Sequence, residues 1–189
     1  MDEGILDRAA GLFARHGFEQ TSVQAVADAV GLSKAGLLHH FPSKDALHEA
    51  VLAQAEDLGR RAVDHVRDLP LGPDRDRLAV ELLVDIALAH PGLVAMMLAP
   101  AMDLGATPAL DDGTAGAVLE AFGVHPDTAE TERCVRVVGA LAALAVLTLA
   151  AHQADETTGW RRHIVATCLD ALGHRRPGAV VPALDQVEA

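Results

Sequence analysis

The chain has 189 residues, enough for one or two small domains whose core needs no covalent staples. Half of the residues are apolar, led by Ala and Leu, while aromatics make up only 3%, a composition that builds helices. A formal net charge of −12 excludes a general binder of nucleic acid or anionic membrane, but not a site-specific reader that is positive on one face.

Residues 3–16 carry Ile5, Leu6, Ala9, Leu12, Phe13 and His16 at helical spacing, and Gly17 ends that helix. Thr21 with Gln24 reads as a capping box opening a second helix, with Val23, Val26, Ala27 and Val30 inward. Gly31 permits a sharp turn, Ser33 caps a third helix, and Pro42 stops it near Phe41. Ser43 caps a longer fourth helix running to about Val66. Residues 68–76 read as a break. Helices are then expected over 78–89, 93–104 (interrupted by Pro100), 114–122, 128–153 and 160–172, with a loop at 105–113 and a loose tail from 176.

The expectation is therefore an all-α chain. A three-helix helix-turn-helix domain at 1–49 precedes a helical bundle at 50–175 for ligand binding and dimerisation, and a tail at 176–189. The small Ala27 suits a close helix crossing, Gly31 the turn four residues later, and Val26, Val30, Leu32 and Leu37 the seam. The helix after the turn is about eight residues, or ~12 Å, a length that enters a major groove end-on.

The stretch AAGLFARHGF, the Thr21-Ser22-Val23 entry, SKAGLLHHF and SKDAL together resemble the DNA-binding region of the TetR (tetracycline-repressor) family over residues 5–47. That resemblance implies a homodimer of about nine helices per subunit, with the last two pairing into a four-helix bundle. It also implies a divergent C-terminal domain that binds an inducer. Carried over by position, Thr21 and Lys44 resemble phosphate contacts. Ser33, Lys34, Ala35, Gly36, His39 and His40 lie at or on the recognition helix. Leu38 departs from the family's usual Tyr and loses a phosphate hydrogen bond. The N-terminal MDEG is acidic where the family often has a basic arm.

Over residues 1–49 four Lys/Arg face seven acids. Phosphate neutralisation drives DNA affinity. Binding is thus expected to require a matched operator and to have little non-specific strength, with Asp2, Glu3, Asp7 and Glu19 lying away from the DNA.

The segment CVRVVGALAALAVLTLAA is apolar nearly all round and needs cover on most sides. Its longest uncharged run, 137–151, falls short of the ~20 residues of a bilayer span. Val138, Ala142, Ala145, Leu149, Ile164 and Cys168 are expected at a two-fold interface, the other reading being intramolecular core. Paired half-sites then make the DNA partner a palindromic operator. Met96, Met97, Met102 and Phe122 are candidate contacts for a small hydrophobic effector, since methionine adapts to varied ligands, though it also simply fills cores. Asp85 is a candidate for a polar contact, with His90 and Asp103 further possibilities.

Neither a cofactor nor a metal is expected, because adjacent His39 and His40 point to different helix faces. The chain has no GxSxG, HExxH, P-loop or dinucleotide fingerprint, which argues against an enzyme. Acids precede the first apolar residues, unlike a signal peptide. Cys134 and Cys168 form no CxxC pair and read as reduced thiols of a cytoplasmic protein. The function expected is a ligand-responsive transcriptional regulator, with a repressor released by effector favoured. A ligand-activated activator and an interaction module without an effector are the alternatives.

Overall fold

The computed structural model describes residues 2–102, 113–125 and 130–174. Among them every regular element is a helix: α1 (Asp2–His16), α2 (Val23–Ala29), α3 (Lys34–His40), α4 (Lys44–Val66), α5 (Pro73–Ala89), α6 (Pro91–Met102), α7 (Gly113–Ala121), α8 (Thr131–Gln153) and α9 (Thr157–Ala171). The all-α expectation holds. Most of the 105–113 loop and the tail at 176–189 lie outside the described residues.

Local chemistry sets the boundaries. Ser22, Ser33 and Ser43 each open a helix, and each Oγ accepts the amide three residues on at 3.0 Å. Ser22, not Thr21, is the cap of α2, because Thr21 turns its hydroxyl inward to donate to the Gly17 carbonyl at 2.8 Å. Gln24 instead donates to Asp28 at 2.7 Å. At the end of α2, Gly31 takes φ +71°, the Leu32 amide donates to the Ala27 carbonyl and the Gly31 amide to that of Asp28. This pair of bonds turns the chain directly into α3.

Two helices start earlier than their spacing suggests. In α5, Pro73 occupies the first turn behind Gly72, with Asp74 and Asp76 following, so the proline initiates the helix that it was expected to precede. Pro91 likewise opens α6 rather than only ending α5. Further on, α8 begins at Thr131 and α9 at Thr157, respectively later and earlier than expected.

Two apolar clusters form. The first joins Ile5, Ala9 and Phe13 of α1, Val26 and Ala27 of α2, Leu37 of α3, Leu47 and Val51 of α4, and Leu93 of α6. The second gathers α5, α7, α8 and α9 around the later part of α4, including Ala62, Val84, Phe122, Val137 and Ile164. One helix, α4, thus contributes to both cores.

A second connection runs from α1 to α6. Asp7 accepts the Leu93 amide at 3.1 Å, so a carboxylate distant in sequence serves the first turn of α6. A Cβ on Gly92 would overlap the Asp7 carbonyl oxygen; only glycine allows this approach. At the far end of the bundle, buried Asp76 accepts from Arg133 of α8 at 2.7 Å and pairs with His174 at 2.6 Å, beyond the end of α9. Arg75 donates to the carbonyls of Ala121 and Glu120 at the end of α7.

Helix α8 is long and apolar enough to cross a membrane, and 28% of its most apolar window is buried. Its charges, Glu132, Arg133 and Arg136, sit in the first two turns, and it packs on α9, α6 and α5.

Candidate functional site

Leu37 is fully buried against the first cluster and fixes which way α3 faces. Lys34, Ala35 and His39 are exposed on its outer side, with half-buried Leu38 between them. At 3.6 residues per turn Ala35 and His39 lie opposite Leu37, with Lys34 and Leu38 on one flank and Gly36 and His40 on the other. His40 stacks loosely on its neighbours His39 and Phe41, with ring centroids 6.0 and 6.3 Å apart. The exposed cap Ser33 stands at the leading end of α3, its Oγ accepting from the Gly36 amide.

The two positions matched to phosphate contacts are engaged within the protein. Thr21 is only 3% exposed and its single hydroxyl proton is held by Gly17. That side chain fixes the α1–α2 turn and does not face outward. The Lys44 ammonium donates to the Phe18 carbonyl at 2.9 Å and to that of Glu19 at 3.3 Å, and lies 4.2 Å from the Phe18 ring centroid. An ammonium has three protons, so one donor remains for an outside anion. Of the acids expected away from this face, Asp7 is at the α6 junction.

A cavity of about 270 Å³ opens between the two cores. Ala55, Leu58 and Gly59 of α4 form one wall, and Leu83, Ile86, Ala87 and His90 of α5 a second. Leu93, Val94, Met97 and Leu98 of α6, with Val118 and Leu119 of α7, close further sides. The last wall is α8, through Val138, Leu141, Ala142, Leu144 and Ala145.

Of the expected ligand contacts, Met97 is found in the lining, as is His90, named as a further possibility. Met96 packs with the first core instead, one helical step round α6. Phe122 is 1% exposed inside the second core. Asp85 faces outward and receives two hydrogen bonds from Arg161 of α9, at 2.6 and 2.7 Å. That bond and the guanidinium charge hold its carboxyl below the usual carboxylate range. The side chain of Met102, and Asp103, lie outside the described residues.

The expected interface residues also divide. Val138, Ala142 and Ala145 belong to the cavity wall. Ile164 and Cys168 are fully buried against their own chain's α8, with the Cys168 thiol donating to the Ala140 carbonyl at 3.5 Å. Burial pushes that thiol up to about 11, and both cysteines are free. Leu149 is half-buried. What α8 leaves uncovered is a stripe of Val135 (66% exposed), Val138 (36% exposed), Gly139, Ala142 and Val146 (50% exposed), with Trp160 of α9 also exposed. The wall residues of α4 and α5 were not legible beforehand, because their apolar spacing reads equally well as core.

Residues 5–51 match the family model described as bacterial regulatory proteins, tetR family. The chain is 35% identical over 84 residues to the HTH-type transcriptional regulator RutR of Escherichia coli strain K12, covering 43% of this chain and 40% of that one. It is 39% identical over 75 residues to the HTH-type transcriptional repressor Rv1474c of Mycobacterium tuberculosis, covering 40% and 39%. It is 44% identical over 48 residues to the HTH-type transcriptional repressor KstR2 of Rhodococcus jostii, covering 25% and 24%. The matched region thus spans two-fifths or less of the length of these relatives.

Proposed function

Since the chain belongs, through residues 5–51, to the tetR family of bacterial regulatory proteins, we propose that it is a cytoplasmic repressor that leaves a palindromic operator when a small hydrophobic effector enters the cavity. Residues 1–49 form the DNA-binding domain and residues 50–175 the sensor and dimerisation domain. Lys34, Ala35 and His39 meet base edges in the major groove, supported by Ser33, Gly36 and His40 at the margins of α3. The free donor of Lys44 and the amides opening α4 meet the phosphate backbone. Thr21 acts through the turn it braces.

Two copies pair through the exposed stripe of α8 and the outer side of α9. The stripe's valines gain by leaving water, and its Gly and Ala let two helices approach closely. Pairing sets two α3 helices at one fixed spacing, as a palindrome requires.

The observation that carries this reading is the double duty of α4. Its early turns, through Leu47 and Val51, are locked into the DNA-binding core, and its next turns, at Ala55, Leu58 and Gly59, wall the cavity. A ligand that fits one tilt of α4 better than another shifts the spacing of the two α3 helices. Asp7 and Gly92 provide a parallel link through α6.

The test is selection of duplexes from a random library with purified protein, followed by gel shift of the selected sequence with and without candidate effectors. The proposal expects an enriched inverted repeat and its release by an apolar compound. An enriched sequence without two-fold symmetry would refute the paired mode, and retention of DNA by fully effector-loaded protein would refute the repressor mode.

A further inference from the structure

We propose that the effector is uncharged, with an aliphatic body and a single hydrogen-bonding head, and that His90 receives that head; this rests on reading the cavity as the effector site. Among the described residues every other member of the lining is aliphatic, glycine or methionine, and none brings a carboxylate, ammonium or guanidinium to it. A charged ligand there would lose its hydration without a counter-charge, a far larger penalty than burying a neutral hydroxyl or carbonyl that finds a partner. A ligand with several polar groups would leave most of them unmet.

His90 is placed to be that partner. It ends α5, where its amide donates to the Ile86 carbonyl and its own carbonyl accepts from Val94, so its backbone is fully used. His90 lines the cavity, and its ring makes no hydrogen bond among the described residues. A neutral imidazole offers one donor and one acceptor, a match for a hydroxyl or a carbonyl. Gln54 is not in the lining but lies in the same turn of α4 that carries Ala55 and Leu58. Both ends of its amide are buried without a partner among the described residues, an arrangement that native proteins rarely leave unanswered.

The volume limits the body. About 270 Å³ lies just below the usual range for small-molecule sites and holds on the order of ten non-hydrogen atoms. Position adds a consequence for control. His90 stands three residues before Leu93, whose amide Asp7 holds. A head bound at His90 therefore bears on the start of α6, next to its junction with the DNA-binding domain.

The experiment compares tail-matched probes by titration calorimetry: octan-1-ol, octanoate, octylammonium and octane, against wild type, His90→Leu and His90→Gln. Octan-1-ol is expected to bind most tightly. His90→Leu should weaken it about three- to tenfold, the range of one hydrogen bond, and leave octane unchanged. His90→Gln should retain most of the affinity. Tighter binding of octanoate or octylammonium, or equal binding of octanol to wild type and His90→Leu, overturns the head-group assignment while leaving the cavity as the site. No binding by any probe overturns the cavity reading beneath it.

Discussion

The Asp7 carboxylate accepts the Leu93 amide at 3.1 Å, and so a residue of α1 completes the first turn of the helix that begins at Pro91. Leu93 is itself buried in the core around α1. The two domains therefore share a helix terminus as well as the long α4. Asp7→Ala should lower stability by about 1 kcal/mol, the usual worth of such a cap. It should also separate ligand binding from DNA release: effector affinity stays close to wild type in calorimetry, while the effector concentration needed to dissociate a gel-shifted complex rises.

On the α3 surface, Lys34→Ala should weaken operator binding by about 1–3 kcal/mol and relax preference at the base pair it meets. His39→Ala should cost about 1–3 kcal/mol and relax preference at one base position if it reads a base edge. Neither change should move the melting temperature, because both side chains are exposed. Thr21→Val is the contrast. It abolishes the bond to the Gly17 carbonyl and should show first as a loss of about 1 kcal/mol in stability. Parallel thermal melts and fluorescence-anisotropy titrations separate the two groups.

Val146→Glu tests the α8 stripe. Val146 is 50% exposed, so the folded subunit accommodates the charge, but a pairing face does not. Light scattering should report half the wild-type mass with unchanged helical circular dichroism. Ile164→Ala should do the reverse. It removes a 1% exposed side chain from the subunit's own core and should cost about 2–5 kcal/mol while the remaining folded protein keeps its oligomeric mass.

Asp85 and Arg161 provide a pH-dependent contribution. Because the folded carboxyl titrates below its unfolded counterpart, near pH 3.9, the pair stabilises the protein fully above that value. The contribution disappears as pH falls through the lowered folded value. Both side chains are about half exposed, 54% and 41%, which limits the effect to less than ~1 kcal/mol. Urea midpoints of wild type and Asp85→Asn should differ slightly near neutrality and converge in acid, with no change in effector affinity at either pH.

The N-terminal region was largely readable from residue order because its signals are local. A serine before each of α2, α3 and α4, Gly31 four residues after Ala27, and Pro42 behind Phe41 each constrain the backbone within one turn. The cap of α2 was misassigned to Thr21 because adjacent hydroxyls, Thr21 and Ser22, compete for the role. Only the fold shows that the first is drawn inward by Gly17. The cavity was mostly illegible for a different reason. Its walls come from five helices, and apolar periodicity separates inside from outside without separating a filled interior from an empty one. Asp85 shows the same limit from the polar side: its partner, Arg161, is 76 residues away. Ile164 and Cys168, expected at a two-fold interface, are buried in the chain's own core, because periodicity marks an apolar face without saying whether its neighbour is the same chain or another.

Ala142 belongs both to the cavity wall and to the uncovered stripe of α8. Enlarging the chamber from that side to admit a bulkier compound would also reshape the surface proposed to pair two copies. The safer places to carve are Ile86 and Val94, whose helices wall the chamber without belonging to that stripe.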